Sequence, residues 1–313
     1  MYLVCGEALF DFFQTDRPEG VNAVYDARIG GSPYNVAMGL ARLKARASLF
    51  TGVSHDLFGD RIVEAIEKEG IDNWAVVRKE EAPTTLSFVG LDAQGSPAYA
   101  FFGNGAADRS LAPEDLPLLP PDVAWLHFGS YSLVTPPTSS TLFSLLEREK
   151  SRFISLDPNI RPTVVSDMSI WEARLSAMLP LVDLVKVSTE DLTMLYPDRD
   201  PLDTAHSWLE DGPRLVVVTD GGSEVIGLTE NGVHRVAVPD TEIVDTVGAG
   251  DTFMAMLMYL LGKDGNPSRT VDSLNKDQFS SILDICARAA SLTCTRRGAD
   301  LPRYDDVRAF LKD

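Results

Sequence analysis

Hydrophobic residues fall along this chain in two alternating rhythms. Mostly apolar runs at residues 2–9, 47–53, 123–129, 153–156, 184–187 and 215–219, interrupted by single polar residues such as Glu7 and Lys186, read as short buried strands, because a strand covered on both faces needs no polar alternation. Between many of them, apolar residues recur at three- and four-residue spacing, which predicts helices with one buried face. Residues 33–44 form such a helix, with Ser32 as its N-cap and Pro33 at its first position. Phe58, Ile62, Ala65 and Ile66 mark a second, and residues 278–295 the last long one. This alternation predicts an α/β fold: a doubly wound, mostly parallel sheet with helices on both faces. Ligands then bind beyond the carboxyl ends of the strands.

Two segments break the rhythm. Residues 12–29 and 84–103 are strand-like but polar, with turn residues at Pro18-Glu19-Gly20 and Asp92-Ala93-Gln94-Gly95. Residues 85–92 and 98–102 pair as a hairpin. Neither segment fits a βα unit, so the two together predict a small separate β-sheet (12–29 and 84–103) beside an α/β core (1–11, 30–83 and 104–313).

The most informative stretch is Asp245-Thr246-Val247-Gly248-Ala249-Gly250-Asp251, which runs straight into an apolar helix through Leu261. The glycines let backbone approach a ligand closely. The helix that follows begins with unpaired N–H groups and the positive end of its dipole, an anion site. Asp251 on that turn is electrostatically awkward unless it takes a proton from a hydroxyl that attacks a bound phosphate. On spacing alone, an aspartate in a first turn after a glycine loop is equally a cap.

The remaining constellations are weaker singly. Gly30-Gly31 with Asn35 a turn later suits a polyol, and equally an ordinary loop-to-helix start. Asp11, read as the end of strand one, could accept two hydroxyls or be a solvated turn residue. Asp157-Pro158-Asn159-Ile160-Arg161 follows a strand and points Asn159 and Arg161 outward, Arg being suited to carboxylate or phosphate. Thr219-Asp220-Gly221-Gly222-Ser223-Glu224 is a β-turn joining two strands. The four histidines match no ligand or triad pattern. There is no G-x-x-x-x-G-K-[ST] and no G-x-G-x-x-G after the first strand, so the P-loop and dinucleotide-fold classes are excluded.

Composition narrows the partners. At 313 residues and 44% hydrophobic the chain can bury a large core. A formal charge of −18 argues against nucleic acid and anionic membrane. It does not argue against a phosphate-bearing small molecule, which needs only local donors. Cys5, Cys286 and Cys294 make no metal spacing and no even disulfide set. They read as small buried hydrophobes and fit a reducing cytoplasm, as does the lack of a basic leader.

Taken in order, these motifs resemble the ribokinase-like, or phosphofructokinase-B, carbohydrate kinases, and among them bacterial fructokinases. All six specified positions of the family's D-T-x-G-A-G-D signature match. Gly30-Gly31 and Asn35 resemble its N-terminal signature, with Ser32-Pro33 where ribokinases carry lysine, as in fructokinases. The resemblance implies an ATP-dependent kinase that transfers the γ-phosphoryl group to a primary hydroxyl, fructose giving fructose 6-phosphate. Asp251 would be the base, and the backbone of Gly248, Ala249 and Gly250 the anion hole. Asp11, Gly30, Gly31, Asn35, Asn159 and Arg161 would bind the sugar, and Arg161 could instead meet the transferring group. Phe101 would stack near the sugar or belong to the core of a lid formed by the small sheet. Lys186, Ser188, Thr219 and Gly221 would line the nucleotide. The family's N-x-x-E reads Ser188 and Asp191 here, leaving the metal role to Glu190 or Asp191. Glu224 replaces the last glycine of T-x-G-x-x-G.

Implied cofactors are ATP and Mg²⁺, with room for a monovalent cation such as K⁺. Implied partners are small-molecule sugar and ATP, and the lid allows a homodimer. Two alternatives stay open. One is 2-keto-3-deoxygluconate kinase, which shares D-P-N-x-R, with Arg28 the one extra cation near the glycine pair, or another sugar kinase of the same family. The other is a non-catalytic sugar-binding regulator.

Overall fold

A computed structural model describes residues 1–15, 22–91 and 97–312. The turns expected at Pro18-Glu19-Gly20 and Asp92-Ala93-Gln94-Gly95 lie outside the described residues. Thirteen strands follow in chain order: β1 Tyr2–Cys5, β2 Leu9–Gln14, β3 Tyr25–Gly30, β4 Ala47–Ser54, β5 Val76–Lys79, β6 Leu86–Leu91, β7 Pro97–Phe102, β8 Trp125–Gly129, β9 Phe153–Asp157, β10 Leu184–Ser188, β11 Leu215–Asp220, β12 Glu224–Thr229 and β13 Gly232–Ala237. Nine form one sheet in the order β13-β12-β11-β10-β9-β8-β1-β4-β5, and four form another in the order β3-β2-β6-β7.

The large sheet is parallel from β5 to β11. It ends in an antiparallel extension, β11-β12-β13. The chain winds outward from β1 through β4 and then restarts at β8 on the other side, so β1 and β8 flank the switch point where doubly wound sheets open a crevice. Two apolar cores cover the two faces. One contains Val4, Leu49 and Val217 under Met254, Leu257 and Leu283; the other contains Leu3, Phe128 and Val185 under Leu142, Trp171 and Trp208. The helices that form them are α1 Ser32–Arg42, α2 Leu57–Glu69, α3 Thr138–Arg148, α4 Met168–Met178, α5 Thr189–Leu195, α6 Pro201–Asp211, α7 Ala249–Gly262, α8 Pro267–Asp272 and α9 Lys276–Cys294. No helix among the described residues is long and apolar enough to cross a membrane. The three cysteines are free, with Cys5 and Cys286 buried.

The apolar run 2–9 is not one strand. Gly6, at φ 147°, breaks it after Cys5, and residues 9–14 turn into the small sheet. Asp11 is therefore not at the carboxyl end of a core strand. It stands in the middle of β2, opposite Arg28 of β3 and Ser87 of β6. The expected boundary at residue 11 moves back to Leu9 for the same reason. The lower face of the small sheet packs Phe10 and Phe12 on Phe58 of α2, with the rings of Phe10 and Phe58 5.0 Å apart.

Helix α7 is buried nearly all round, and α1 crosses it closely. At Gly39 a Cβ would meet Ala255 Cβ at 2.7 Å and Leu301 Cδ2 at 2.8 Å. A larger residue there must push the two helices apart. Gly39→Leu should therefore cost about 1–3 kcal/mol by overpacking, read as a lower urea midpoint with an unchanged slope.

Candidate active site

The start of α7 carries the site. Gly248 is its N-cap in the left-handed region (φ 81°), and a Cβ there would lie 2.7 Å from Ala299 Cβ. The Ala249 N–H donates to Thr246 O at 3.2 Å. The N–H groups of Gly248, Gly250 and Asp251 have no recorded partner among the described residues. Of the three amides expected to form an anion hole, Ala249 is thus turned into the loop, and Asp251's own N–H joins the open set.

The Asp251 side chain is not curled back to cap these amides. Ser32 Oγ donates to its Oδ1 at 2.6 Å and Asn35 Nδ2 to its Oδ2 at 2.8 Å. Both donors lie on the first turn of α1, so the close α1–α7 crossing sets the carboxylate's orientation. Ser32 differs from its expected role: the helix begins at Ser32 with Gly31 as N-cap (φ 104°) and no side-chain cap. Its hydroxyl goes to Asp251 instead, a use invisible in sequence because the partner is 219 residues away. Asn35 Oδ1 is buried without a partner, leaving one acceptor aimed at the site.

Lys186 lies beside this helix end, its Nζ 3.0 Å from where a Cβ on Gly250 would stand. It pairs with Asp157 Oδ2 at 2.9 Å, both side chains almost fully buried. Burial pulls the Lys186 pKa down, but the carboxylates of Asp157, Asp191 and Asp251 outweigh it and the net shift is upward. Burial likewise lifts Asp157 to about 6 against the pull of Lys186. Asp157, absent from the expected site, thus holds the lysine; its other oxygen, Oδ1, is buried and unpartnered. His127, buried on β8 with Nδ1 2.9 Å from Ser155 Oγ, is driven down to about 3 by burial and by Lys186, so it is neutral.

The expected metal pair divides. Asp191 Oδ1 accepts from Ile160 N at 2.8 Å, and Oδ2 from Ser188 Oγ at 2.8 Å. Ser188 in turn caps α5 by accepting from Asp191 N. Both oxygens of Asp191 thus help hold the 157–161 loop and the helix start, and each keeps further acceptor capacity. Glu190 is exposed. No cluster of three or more metal-ligating side chains occurs among the described residues.

Opposite α7, the small sheet presents one face across four strands. Strand register puts Arg28, Asp11, Ser87 and Phe101 in one row. Asp11 is lifted to about 6 by burial, against a hydrogen bond from Ser87 and the charge of Arg161. Arg161 itself is exposed and donates to Ile160 O at 2.9 Å, while Asn159 beside it takes φ 42°. A Cβ on Gly30 would stand 2.1 Å from Asp11 Oδ2, and one on Gly31 2.6 Å from Glu7 O. Here glycine is required by space. Phe101 is half-buried, its ring 5.6 Å from that of Tyr131. A cavity of about 500 Å³ includes Asp11, Gly30, Asn35, Val247 and Ala299 in its wall. Arg28, the extra cation, is committed to Asp26 (2.7 Å) and to Arg297 O (2.6 Å). Thr219 and Gly221 stand farther along the sheet at the β11–β12 turn, where Gly221 takes φ 50° and faces open space. The structure thus gathers Asp251, Asn35 and Lys186 around the α7 start and sets Asp11, Gly30 and Phe101 on the facing sheet.

Residues 3–305 match the pfkB family carbohydrate kinase profile. A fructokinase of Rhizobium leguminosarum bv. trifolii is 40% identical over 287 residues, covering 90% of this chain and 84% of that protein. The fructokinase of Xylella fastidiosa, solved with bound ATP, superposes with a TM-score of 0.89 at 25% identity, covering 99% of this chain and 97% of the other. A double mutant of the Vibrio cholerae O395 fructokinase, solved with fructose, ADP and a potassium ion, gives 0.82 at 28% identity, covering 99% and 97%.

Removing one partner of a buried ion pair leaves a charge stranded. Asp157→Asn should cost about 3–5 kcal/mol of stability, and adding Lys186→Met should recover part of it. Urea unfolding of both single variants and the double one measures this; equal or additive losses would contradict a stranded ammonium.

Proposed function

We propose that this chain, which belongs to the pfkB family of carbohydrate kinases, is an ATP-dependent fructokinase. The observation that carries the reading is a carboxylate, Asp251, held open by Ser32 and Asn35 at a helix start whose amides lack partners. The fructokinases among its relatives support the acceptor. In this mechanism the 6-hydroxyl of fructose approaches Asp251 and takes the place of one of its present donors. Asp251 accepts the hydroxyl proton as the oxygen attacks the γ-phosphorus. The bond from that phosphorus to the bridging oxygen breaks, and ADP leaves with the electron pair. The open amides of Gly248, Gly250 and Asp251, with the Lys186 ammonium beside them, stabilise the negative charge carried by the transferred group. Asp11 accepts from hydroxyls farther along the sugar, and Arg161 lies at the same end. Closing the small sheet excludes water and so protects ATP from hydrolysis.

Mg²⁺ fits the donor chemistry in one way. With Asp191 engaged in the 157–161 loop and Glu190 exposed, the described residues form no cage of three or more ligating side chains, which suits an ion that keeps most of its waters and enters on the nucleotide. It would offset charge on the ATP phosphates. The nucleotide would lie toward Ser188, Thr219 and Gly221. Arg28 is already paired with Asp26 and the Arg297 carbonyl, but Arg61 and Lys68 also line the cavity, so the fructokinase relatives rather than the cations favour fructose over 2-keto-3-deoxygluconate. The potassium ion in the Vibrio cholerae structure makes K⁺ the first ionic condition to vary.

Coupled ADP release on fructose, ribose, adenosine and 2-keto-3-deoxygluconate tests the acceptor, with the highest kcat/KM expected for fructose. A preference for the keto acid would retain the mechanism and replace the substrate; no turnover on any sugar would favour a binding protein. Asp251→Asn should lower kcat by about 10²–10⁴-fold, with fructose affinity by calorimetry little changed. Because its pKa is raised to about 6, Asp11 loses acceptor capacity as pH falls through that value. The KM for fructose should therefore rise below pH 6, and Asp11→Asn should flatten that rise.

A further inference from the structure

The chain passes between the two sheets at two necks. At the first, Glu7 and Ala8 lead from β1 into β2, and Gly30-Gly31 lead back from β3 into α1. At the second, Thr84-Thr85 lead into β6, and residues 103–108 return from β7. Each neck contains a buried carboxylate, Glu7 at 1% exposure and Asp108 at 2%. Both reach one turn of the core, Ser130–Leu133, which follows β8 at the switch point. Ser132 Oγ donates to Glu7 Oε2 at 2.5 Å. Tyr131 Oη donates to Asp108 Oδ2 at 2.7 Å, and Thr85 Oγ1 to Asp108 Oδ1 at 2.5 Å. The second neck is closed by Ala107 N donating to Pro83 O at 2.9 Å. The Tyr131 ring also packs edge-on against Phe101 of β7, with the Arg109 guanidinium 4.8 Å and 4.9 Å from the two ring centres. Ser130 holds φ 60°, an uncommon backbone for that residue.

Two carboxylates buried near each other are a poor choice if cohesion were all that is required, since apolar packing serves that better. Their directional hydrogen bonds specify a geometry, which apolar contacts do loosely. We infer that Glu7 and Asp108, both gripped by the turn Ser130–Leu133, are positioning residues that fix the angle at which the small sheet carries Asp11 and Phe101 over Asp251. The inference rests on the reading of Asp11 as an acceptor contact. Thr85, Asp108 and Tyr131 form links in series from β6 to the core, so breaking either link releases the same strand.

Steady-state kinetics of the full chain with Thr85→Val, Tyr131→Phe and the double variant test this, with Ser132→Ala for the first neck and Asp11→Asn alongside. Each clamp single should raise the KM for fructose about tenfold, the size expected for one hydrogen bond to a charged group. Turnover and the KM for ATP should stay within about twofold, a split that lost stability alone does not produce. The double variant should do no worse than the poorer single. A fructose KM unchanged in the clamp variants, a multiplicative double variant, or a parallel decline of all three constants with melting temperature would each overturn the clamp. If the clamp variants raise the fructose KM and Asp11→Asn does not, the acceptor role of Asp11 fails and the clamp stands.

Discussion

A carboxylate in the first turn of a helix ordinarily folds back onto the amides it neutralises. In this chain Asp251 is drawn the other way, by a hydroxyl and an amide from the first turn of α1, and so the helix end keeps its donors open. That outcome depends on how closely α1 and α7 approach, which Gly39 permits. It depends equally on Gly248, whose left-handed backbone starts the helix without a side chain to crowd Ala299. The open amides, the Asp251 carboxylate and the lysine beside them follow from one helix crossing.

The chain's charge of −18 makes the local electrostatics more telling than the net value. Around the site, carboxylates outnumber cations, and three of them are pushed toward neutrality by burial: Glu7 to about 7, Asp11 to about 6 and Asp157 to about 6. Lys186 gains from the same surroundings and stays charged. A field built in this way favours cations at rest, so in the proposed reaction the phosphates depend on short-range donors, where a dry surrounding strengthens each contact.

The glycine-rich start of α7 was legible in sequence because only glycine satisfies its backbone and spacing demands. The alternation of strands and helices was legible because the parallel strands are buried on both faces. Asp11 was placed in the wrong element, since the break at Gly6 depends on a backbone angle that composition does not reveal. Ser32 looked like a cap because its hydroxyl's partner is distant in sequence. The burial of Glu7 and Asp108 was not legible, because it arises only when β1, β8 and the small sheet are assembled. Asp191 shows a related limit: its hydrogen bonds to Ile160 and Ser188 come from the folded loop and helix start, not from its spacing.

The loop before α7 is closed from the far end of the chain. Gly298 N donates to Asp245 Oδ2 at 2.8 Å, Ala299 abuts Gly248, and Arg42 of α1 holds Asp300 and the carbonyl of Leu301. During synthesis on the ribosome, α1 and both sheets emerge well before residues 298–301. The turn before α7 therefore lacks its backing until residues 298–301 have emerged, and a chain truncated before them carries Asp251 without the contacts that present it.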